Sequence, residues 1–214
     1  MKITAINGSP KISGSVSGMI IRQLEQFLGE EARLYHAMSL VREPADPVTL
    51  REMLDADVLL AAFPLYVDGL PAPLVELLAR LAGAAGETSA KPLVYAAVNC
   101  GFYETAHTAP ALDMMRHFTE RAGLAWGRGL GIGRGGMLGS MGDSWAHGPA
   151  HRVHGALLEM AAGMGRGESG PDVFTAPLFP RFLYMAGGNM NWRRLAKKNG
   201  VRKKLNERPY ATTL

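Results

Sequence analysis

Short apolar runs alternate along the chain with longer segments whose apolar residues recur every three or four positions. That is the pattern of a parallel sheet wrapped by crossover helices. Residues 2–7 predict a first strand closed by Gly8-Ser9-Pro10, and a helix beginning near Ser15 puts Met19, Ile20, Leu24, Phe27 and Leu28 on one face. Residues 32–36 predict a second strand. A loop marked by Pro44 and Pro47 leads through a short helix at 48–54 into a third strand at 57–63, apolar on both faces and therefore central. Pro71 and Pro73 stand where a first helical turn tolerates proline, and Leu74, Leu77, Leu78 and Leu81 follow at helical spacing.

The alternation continues with a fourth strand at 93–98 and a helix at 110–122 that turns Leu112, Met115 and Phe118 inward. A fifth strand at 124–132 contains Gly127, Gly129 and Gly131, which weaken a strand but let a ligand or another backbone come close. Residues 134–148, rich in Gly and Met, read as a mobile loop, and a last core helix at 149–164 starts on a proline. From Pro171 the chain carries Pro177, Phe179, Pro180 and Tyr184. A helical stretch follows whose Phe182, Met185, Asn189, Trp192 and Leu195 form one stripe. Five β/α units without internal repeat predict one α/β domain, 1–170. A C-terminal basic extension, 171–214, is expected to pack on that domain or on a neighbouring subunit.

Composition adds three constraints to this picture. The chain has 214 residues, 47% hydrophobic and 20% charged, with mean hydropathy +0.00, which suits a globular domain and excludes a wholly disordered one. Glycine is in excess: 26 residues, where about 7% of a chain is usual, imply tight turns or close approach of backbone to a ligand. The net charge of +4 is uneven, because residues 1–192 carry 15 Lys and Arg against 18 Asp and Glu, while 193–214 carry eight against Glu207 alone. The basicity belongs to the tail, so it argues against nucleic acid as the partner of the body. A single cysteine, Cys100, excludes an internal disulfide or a multi-thiolate metal site and fits a reducing compartment. The longest apolar run, 58–67, is broken by Pro64 and is far short of the ~20 residues that span a bilayer. Met1-Lys2 leads at once into the first strand rather than into a signal peptide. A cytoplasmic protein without membrane insertion is expected.

In open α/β sheets ligands bind beyond the carboxyl ends of the strands, where strand order reverses, which directs attention to three loops. The first, 8–17, gathers four serines, Lys11 and the free N–H groups of a helix start, the donors a phosphate dianion requires. It is neither a Walker A loop nor the dinucleotide G-x-G-x-x-G. A Ser-rich turn that merely caps the helix through Ser13 or Ser15 is the simpler alternative. The second loop, 63–73, offers Leu65 and Tyr66 to the face of a flat apolar ring and the N–H groups of 65–68 to its acceptors. The third, 99–103, supplies an amide, a small thiol, a close-approach glycine and two aromatics. Tyr66 and Phe102 could equally be core or interface aromatics, and Cys100 reads as a buried, inert thiol.

Asn7-Gly8-Ser9-Pro10-Lys11 with the Ser-x-Ser that follows, the run from Pro64 to Pro71, and Asn99-Cys100-Gly101-Phe102-Tyr103-Glu104 together resemble the flavodoxin-like NADPH-dependent FMN reductase family over roughly residues 1–165. The resemblance implies a flavodoxin-like doubly wound five-stranded parallel sheet, order 2-1-3-4-5, holding FMN non-covalently. It places the phosphate on Ser9, Lys11, Ser15, Val16 and Ser17. The isoalloxazine falls against Pro64, Leu65, Tyr66, Val67 and Asp68 on one side and Asn99, Cys100, Gly101 and Phe102 on the other. The glycine-rich segment 127–136 and the basic tail are not part of a minimal flavodoxin. The implied activity passes a hydride from NADPH or NADH to flavin N5 and then to a small-molecule acceptor such as a quinone or free flavin. No protein side chain acts as the catalyst, and Tyr66, Asn99 and Phe102 are expected to tune and shield the ring. A homodimer is expected, with 137–145 and 179–192 as packing stretches. The alternative within the same fold is an electron carrier without pyridine-nucleotide turnover.

Three motifs stand outside that reading. His147, His151 and His154 have helical metal-ligand spacing, but Gly148-Pro149 separates the first from the helix, so no metal is expected. Gly142-Asp143-Ser144 resembles the nucleophile block of GDS-type esterases, yet it lies in a late loop instead of after the first strand. The basic run 193–208 could be a solvated or inter-subunit helix face, a clamp for phosphates, or a nucleic-acid or membrane patch, with the first preferred.

Overall fold

The computed structural model describes residues 1–29, 32–142 and 145–207. Chain contacts divide it into two compact units, Met1–Leu178 and Phe179–Leu214.

In the first unit the chain order is β1 (Ile3–Asn7), α1 (Val16–Leu28), β2 (Arg33–His36), α2 (Ala37–Arg42), α3 (Pro47–Leu54), β3 (Val58–Pro64), α4 (Ala72–Ala85) and β4 (Leu93–Asn99). Then come α5 (Ala109–Arg121), β5 (Ala125–Ile132), α6 (Gly135–Leu138), α7 (His151–Arg166) and β6 (Val173–Thr175). All strand pairs are parallel, in the order β2-β1-β3-β4-β5-β6. The flavodoxin-like order is as expected, but the sheet has six strands, not five. Residues 173–175, expected to lie in the extension, pair with Leu130–Ile132 and close the sheet's edge.

Strand alternation explains why two helical layers are needed. Leu59, Ala61 and Phe63 of β3 and Val94, Ala96 and Val98 of β4 point into a core shared with α2 to α5. Their neighbours Val58, Leu60, Ala62, Tyr95 and Ala97 point into a second core shared with α1 and α7. The helices end where the local chemistry ends them. The Ser15 hydroxyl accepts the Gly18 N–H at the start of α1, and Gly29, at φ 64°, closes its other end.

Two further expectations are corrected. The described part of 134–148 is not a mobile loop: α6 lies within it, and Leu138 and Trp145 are buried in the second core, with the Trp145 indole N–H donated to the Gly142 carbonyl. Asp143 and Ser144, which carry the esterase-like motif, lie outside the described residues. The glycines of β5 make room for the protein itself instead of a ligand. A Cβ on Gly127 would lie 2.6 Å from the Tyr95 ring, on Gly129 2.8 Å from the Asp172 carboxylate, and on Gly131 2.2 Å from the Thr108 hydroxyl.

The second unit contains α8 (Arg181–Lys198), followed by a 3-10 turn at Arg202–Lys204. Among the described residues no helix is long and apolar enough to cross a membrane.

Candidate functional site

The chain runs from β1 to β2 on one side and to β3 on the other, so strand order reverses between β1 and β3. Because β1, β3 and β4 are consecutive in the sheet, the three loops singled out in the sequence leave it side by side.

The β1 loop is organised by Asn7, a buried residue that sequence reasoning quoted but did not place in the site. Its side-chain oxygen accepts the Ser9 N–H at 3.0 Å, and its amide nitrogen donates to the Ser15 hydroxyl at 3.2 Å. Ser15 does cap α1, as the simpler alternative held, by accepting the Gly18 N–H at 3.1 Å. Capping does not exhaust the loop, however. The Ser9 hydroxyl accepts from the Lys11 N–H and the Ser17 hydroxyl from the Asn99 amide, each at 3.2 Å. Ser9, Ser15 and Ser17 are all buried. Their oxygens act as acceptors for the fold, and among the described residues no acceptor takes the hydroxyl hydrogens. At the helix start the N–H groups of Val16 and Ser17 precede the first intrahelical bond, at the positive end of α1. Lys11 bridges the loop to the Gly14 carbonyl at 2.9 Å and stays exposed. The result is rich in donors and poor in acceptors, the inverse of what water or a cation would select.

The β3 loop is a tight turn in which Tyr66 and Gly69 exchange both backbone hydrogen bonds at 3.0 Å. Val67 and Asp68, the two central residues, stand at φ 50° and 56°. Positive φ at a β-branched residue is costly, and Val67 is fully exposed, so no packing offsets it. The turn also narrows the set of available donors. The Leu65 N–H goes to the Asn99 carbonyl at 2.8 Å and the Tyr66 N–H to Gly69, leaving those of Val67 and Asp68 outside the turn's own bonds. Pro64 and Leu65 are half-buried beneath it.

The β4 loop is bound on both sides. Asn99, buried, donates its amide to the Ser17 hydroxyl and, at 3.1 Å, to the Phe63 carbonyl, tying β4 to α1 and β3. Both amide hydrogens are thereby committed, so Asn99 positions the loops and retains only its side-chain oxygen for a ligand. Cys100 is buried, and burial pushes its thiol up, away from the reactive thiolate. Gly101 is exposed, and Phe102, half exposed, packs against His107 with ring centres 4.4 Å apart and planes tilted by 37°. Tyr66 is equally exposed, so neither aromatic belongs to the core.

Two residues that sequence reasoning did not single out hold this loop from the β5 side. The Gly135 N–H donates to the Cys100 carbonyl at 2.7 Å and the Arg134 N–H to Phe102 at 2.8 Å. The Arg134 guanidinium lies over the Tyr103 ring and donates to the carbonyls of Tyr103 and Pro177. The only available signal was the Arg-Gly-Gly run. The histidines are used separately: His151 pairs with the Gly148 carbonyl, His154 meets the Phe27 ring edge-on, and no metal-binding cluster occurs among the described residues.

No curated protein matches the chain. Among solved structures, the apo form of an NADH:FMN oxidoreductase (EMOB) superposes with TM-score 0.56 at 20% identity, over 78% of this chain and 90% of that one. An FMN-dependent NADH-azoreductase from Bacillus anthracis, in complex with FMN, gives TM-score 0.56 at 11% identity, over 77% and 100%. The Trp repressor binding protein from Bacillus subtilis gives 0.50 at 17%, over 62% and 84%. At these identities the likeness concerns the fold alone. The family model described as NADPH-dependent FMN reductase matches residues 1–123, a stretch that includes the loops after β1, β3 and β4. More than half of the chain thus carries the pattern first noticed in three strand-end motifs, and the protein belongs to the NADPH-dependent FMN reductase family.

Proposed function

We propose that the chain is an FMN-dependent NAD(P)H oxidoreductase that reduces a small-molecule acceptor. The observation that carries this reading is the set of three buried hydroxyls, Ser9, Ser15 and Ser17, whose oxygens serve the fold while their hydrogens stay available. Such a site suits a phosphate monoester dianion, which offers only acceptors. Ser9, Ser15 and Ser17 with the N–H groups of Val16 and Ser17 would hold the phosphate, with Lys11 as its exposed counter-charge. Val67 and Asp68 would offer N–H donors to the ring, above half-buried Pro64 and Leu65. Tyr66 and Phe102 form an apolar rim that keeps water from it. Asn99, Cys100 and Gly101 line the other side, Asn99 by locking loops together and Gly101 by leaving space, since a Cβ there would meet nothing within 4 Å.

FMN, when bound, supplies hydride acceptance from NADPH or NADH and its delivery to a quinone, flavin or similar acceptor. The protein's share is to bind, orient and dehydrate the ring. Burial sets the Cys100 thiol against a nucleophile's role. We further propose a homodimer. Leu138 and Trp145 are spent in the protein's own core, which removes them from that contact.

Purified protein should take up one FMN per chain and develop a flavin spectrum, and anaerobic NADPH or NADH should bleach it in a stopped-flow experiment. Ser17→Ala should weaken FMN by about tenfold, the worth of one charge-assisted hydrogen bond. Absence of FMN uptake refutes the proposal. Uptake without bleaching identifies an electron carrier instead, and light scattering reports the subunit number.

A further inference from the structure

The remaining chemistry concentrates in the second unit. Of the eighteen residues of α8 only Ala196 is buried, and Phe182 and Trp192 keep 72 and 70% of their surface exposed. Helical period places Phe182, Met185, Trp192 and Leu195 along one half of the helix, with Arg181 among them, and Arg193, Arg194, Lys197 and Lys198 along the other, which Leu183 and Met190 share. The turn at Arg202–Lys204 adds three more cations. Residues 173–206 contain no Asp or Glu, and these basic side chains form no ion pair among the described residues. A shallow groove along the basic half is lined by Asn189, Met190, Arg193, Arg194, Lys197 and Arg202, with four cations and no carboxylate.

We propose that α8 and the turn after it form a peripheral docking surface for an anionic lipid bilayer. The cations meet headgroup phosphates, and the stripe through Phe182 and Trp192 enters the boundary between headgroups and acyl chains. Charge complementarity and the apolar stripe select this occupant together. A polynucleotide would satisfy the cations and leave Phe182 and Trp192 in water. A second α8 would cover the stripe but bring two acid-free basic clusters together. An anionic bilayer uses both halves, and with four cations in its last six residues the helix lies on the surface without spanning it.

The test uses the full chain without FMN, so it stands apart from the redox assignment. In flotation with phosphatidylcholine vesicles, alone or mixed with phosphatidylglycerol, the protein should bind the mixed vesicles at least about tenfold more tightly and release as salt rises. Both R193Q/R194Q/K197Q/K198Q and F182S/W192S should cut that binding by roughly tenfold or more. The emission of Trp192, taken as the difference between the native chain and W192F, should shift to the blue on the mixed vesicles, a readout that needs no disabled variant. Equal binding to both vesicle types, or binding to neither, overturns the proposal. Displacement by inorganic phosphate beyond that caused by chloride at equal ionic strength points to a free-anion site instead. Retention on duplex DNA that F182S/W192S leaves intact, without vesicle binding, makes the surface a polynucleotide site. Dimerisation abolished by F182S/W192S, again without vesicle binding, assigns the stripe to a second copy.

Discussion

Two glycine-rich segments of the chain use the missing side chain in opposite ways. In β5 each of Gly127, Gly129 and Gly131 leaves a space that another residue fills, whether the Tyr95 ring, the Asp172 carboxylate, or the Thr108 hydroxyl with the Phe174 ring. In α8, Gly187 and Gly188 have nothing within 4 Å of where a Cβ would stand. Glycine in the body is a packing requirement, while glycine in the tail helix is only a local penalty of about 0.5–1 kcal/mol relative to alanine. The body's shape is over-determined, which lets it hold three loops in register. The tail helix takes its stability from local propensity and from whatever it meets.

The sharpest way to break this contrast is at Asp172, which closes the β5 edge. One carboxylate oxygen accepts from the Trp126 indole at 3.1 Å and the Gly129 N–H at 2.8 Å, and the other from Arg116 at 2.5 Å. Asp172→Ala strands the Trp126 and Gly129 donors, takes from Arg116 its shorter ion pair, and should cost about 3 kcal/mol in urea denaturation. Next comes Gly131→Ala, whose methyl would meet the Thr108 hydroxyl and the Phe174 ring, 2.7 Å away, at a cost of roughly 2–3 kcal/mol. Gly188→Ala should instead raise the helicity of α8, read by hydrogen exchange on 181–198, by about 0.5–1 kcal/mol. A loss at Gly188 comparable to that at Gly131 would show instead that the tail is packed.

Much of this architecture was legible because it is written locally. The two-residue alternation of β3 and β4 and the stripes of α1, α4, α5 and α7 are patterns within a dozen positions, and the Ser15 cap lies two residues from a serine-marked turn. What escaped the sequence depends on partners far along the chain. β6 has three residues and no alternation, and it exists only because Leu130–Ile132, about forty positions earlier, offers an open edge. Trp145 is the largest fully buried side chain, in a segment whose composition suggests a loop. In the candidate site the phosphate-type donors could be read from Ser9, Lys11, Ser15 and Ser17. The commitment of the Asn99 amide to Ser17 and Phe63 could not, since it joins three elements that meet only in the fold.

Tyr95 tests the closed side of the comparison more gently. It is fully buried opposite Gly127, and its hydroxyl donates to the Glu168 carbonyl at 2.5 Å. Burial raises its ionisation above the ordinary value of 10.0, with Glu168 adding to the rise and Arg128 and Arg166 opposing it. The folded protein therefore keeps the phenol proton over a range where the unfolded chain has lost it. Stability is fully present below pH 10 and falls as pH climbs towards the folded value. Tyr95→Phe should cost about 1 kcal/mol at neutral pH and flatten the alkaline limb of Tm against pH. An unchanged alkaline limb would mean that another group governs it.

The last change concerns a place where the body resembles the tail. Val67 is as uncovered as any residue of α8, yet it holds φ 50°, and Asp68 beside it holds 56°. Mirror-image turns of this kind favour Asn-Gly, so Val67→Asn with Asp68→Gly should gain about 1 kcal/mol. In the tail an exposed residue carries no strain, because nothing constrains it. Here strain persists without packing to offset it, which is intelligible if the turn's conformation and apolar cover serve a ligand above it. The double variant should accordingly melt higher while binding FMN several-fold more weakly, with the looser turn holding the two N–H donors less firmly. A variant that melts higher and binds FMN as the native chain does would remove the turn from the site and leave the β1 loop to carry the cofactor alone.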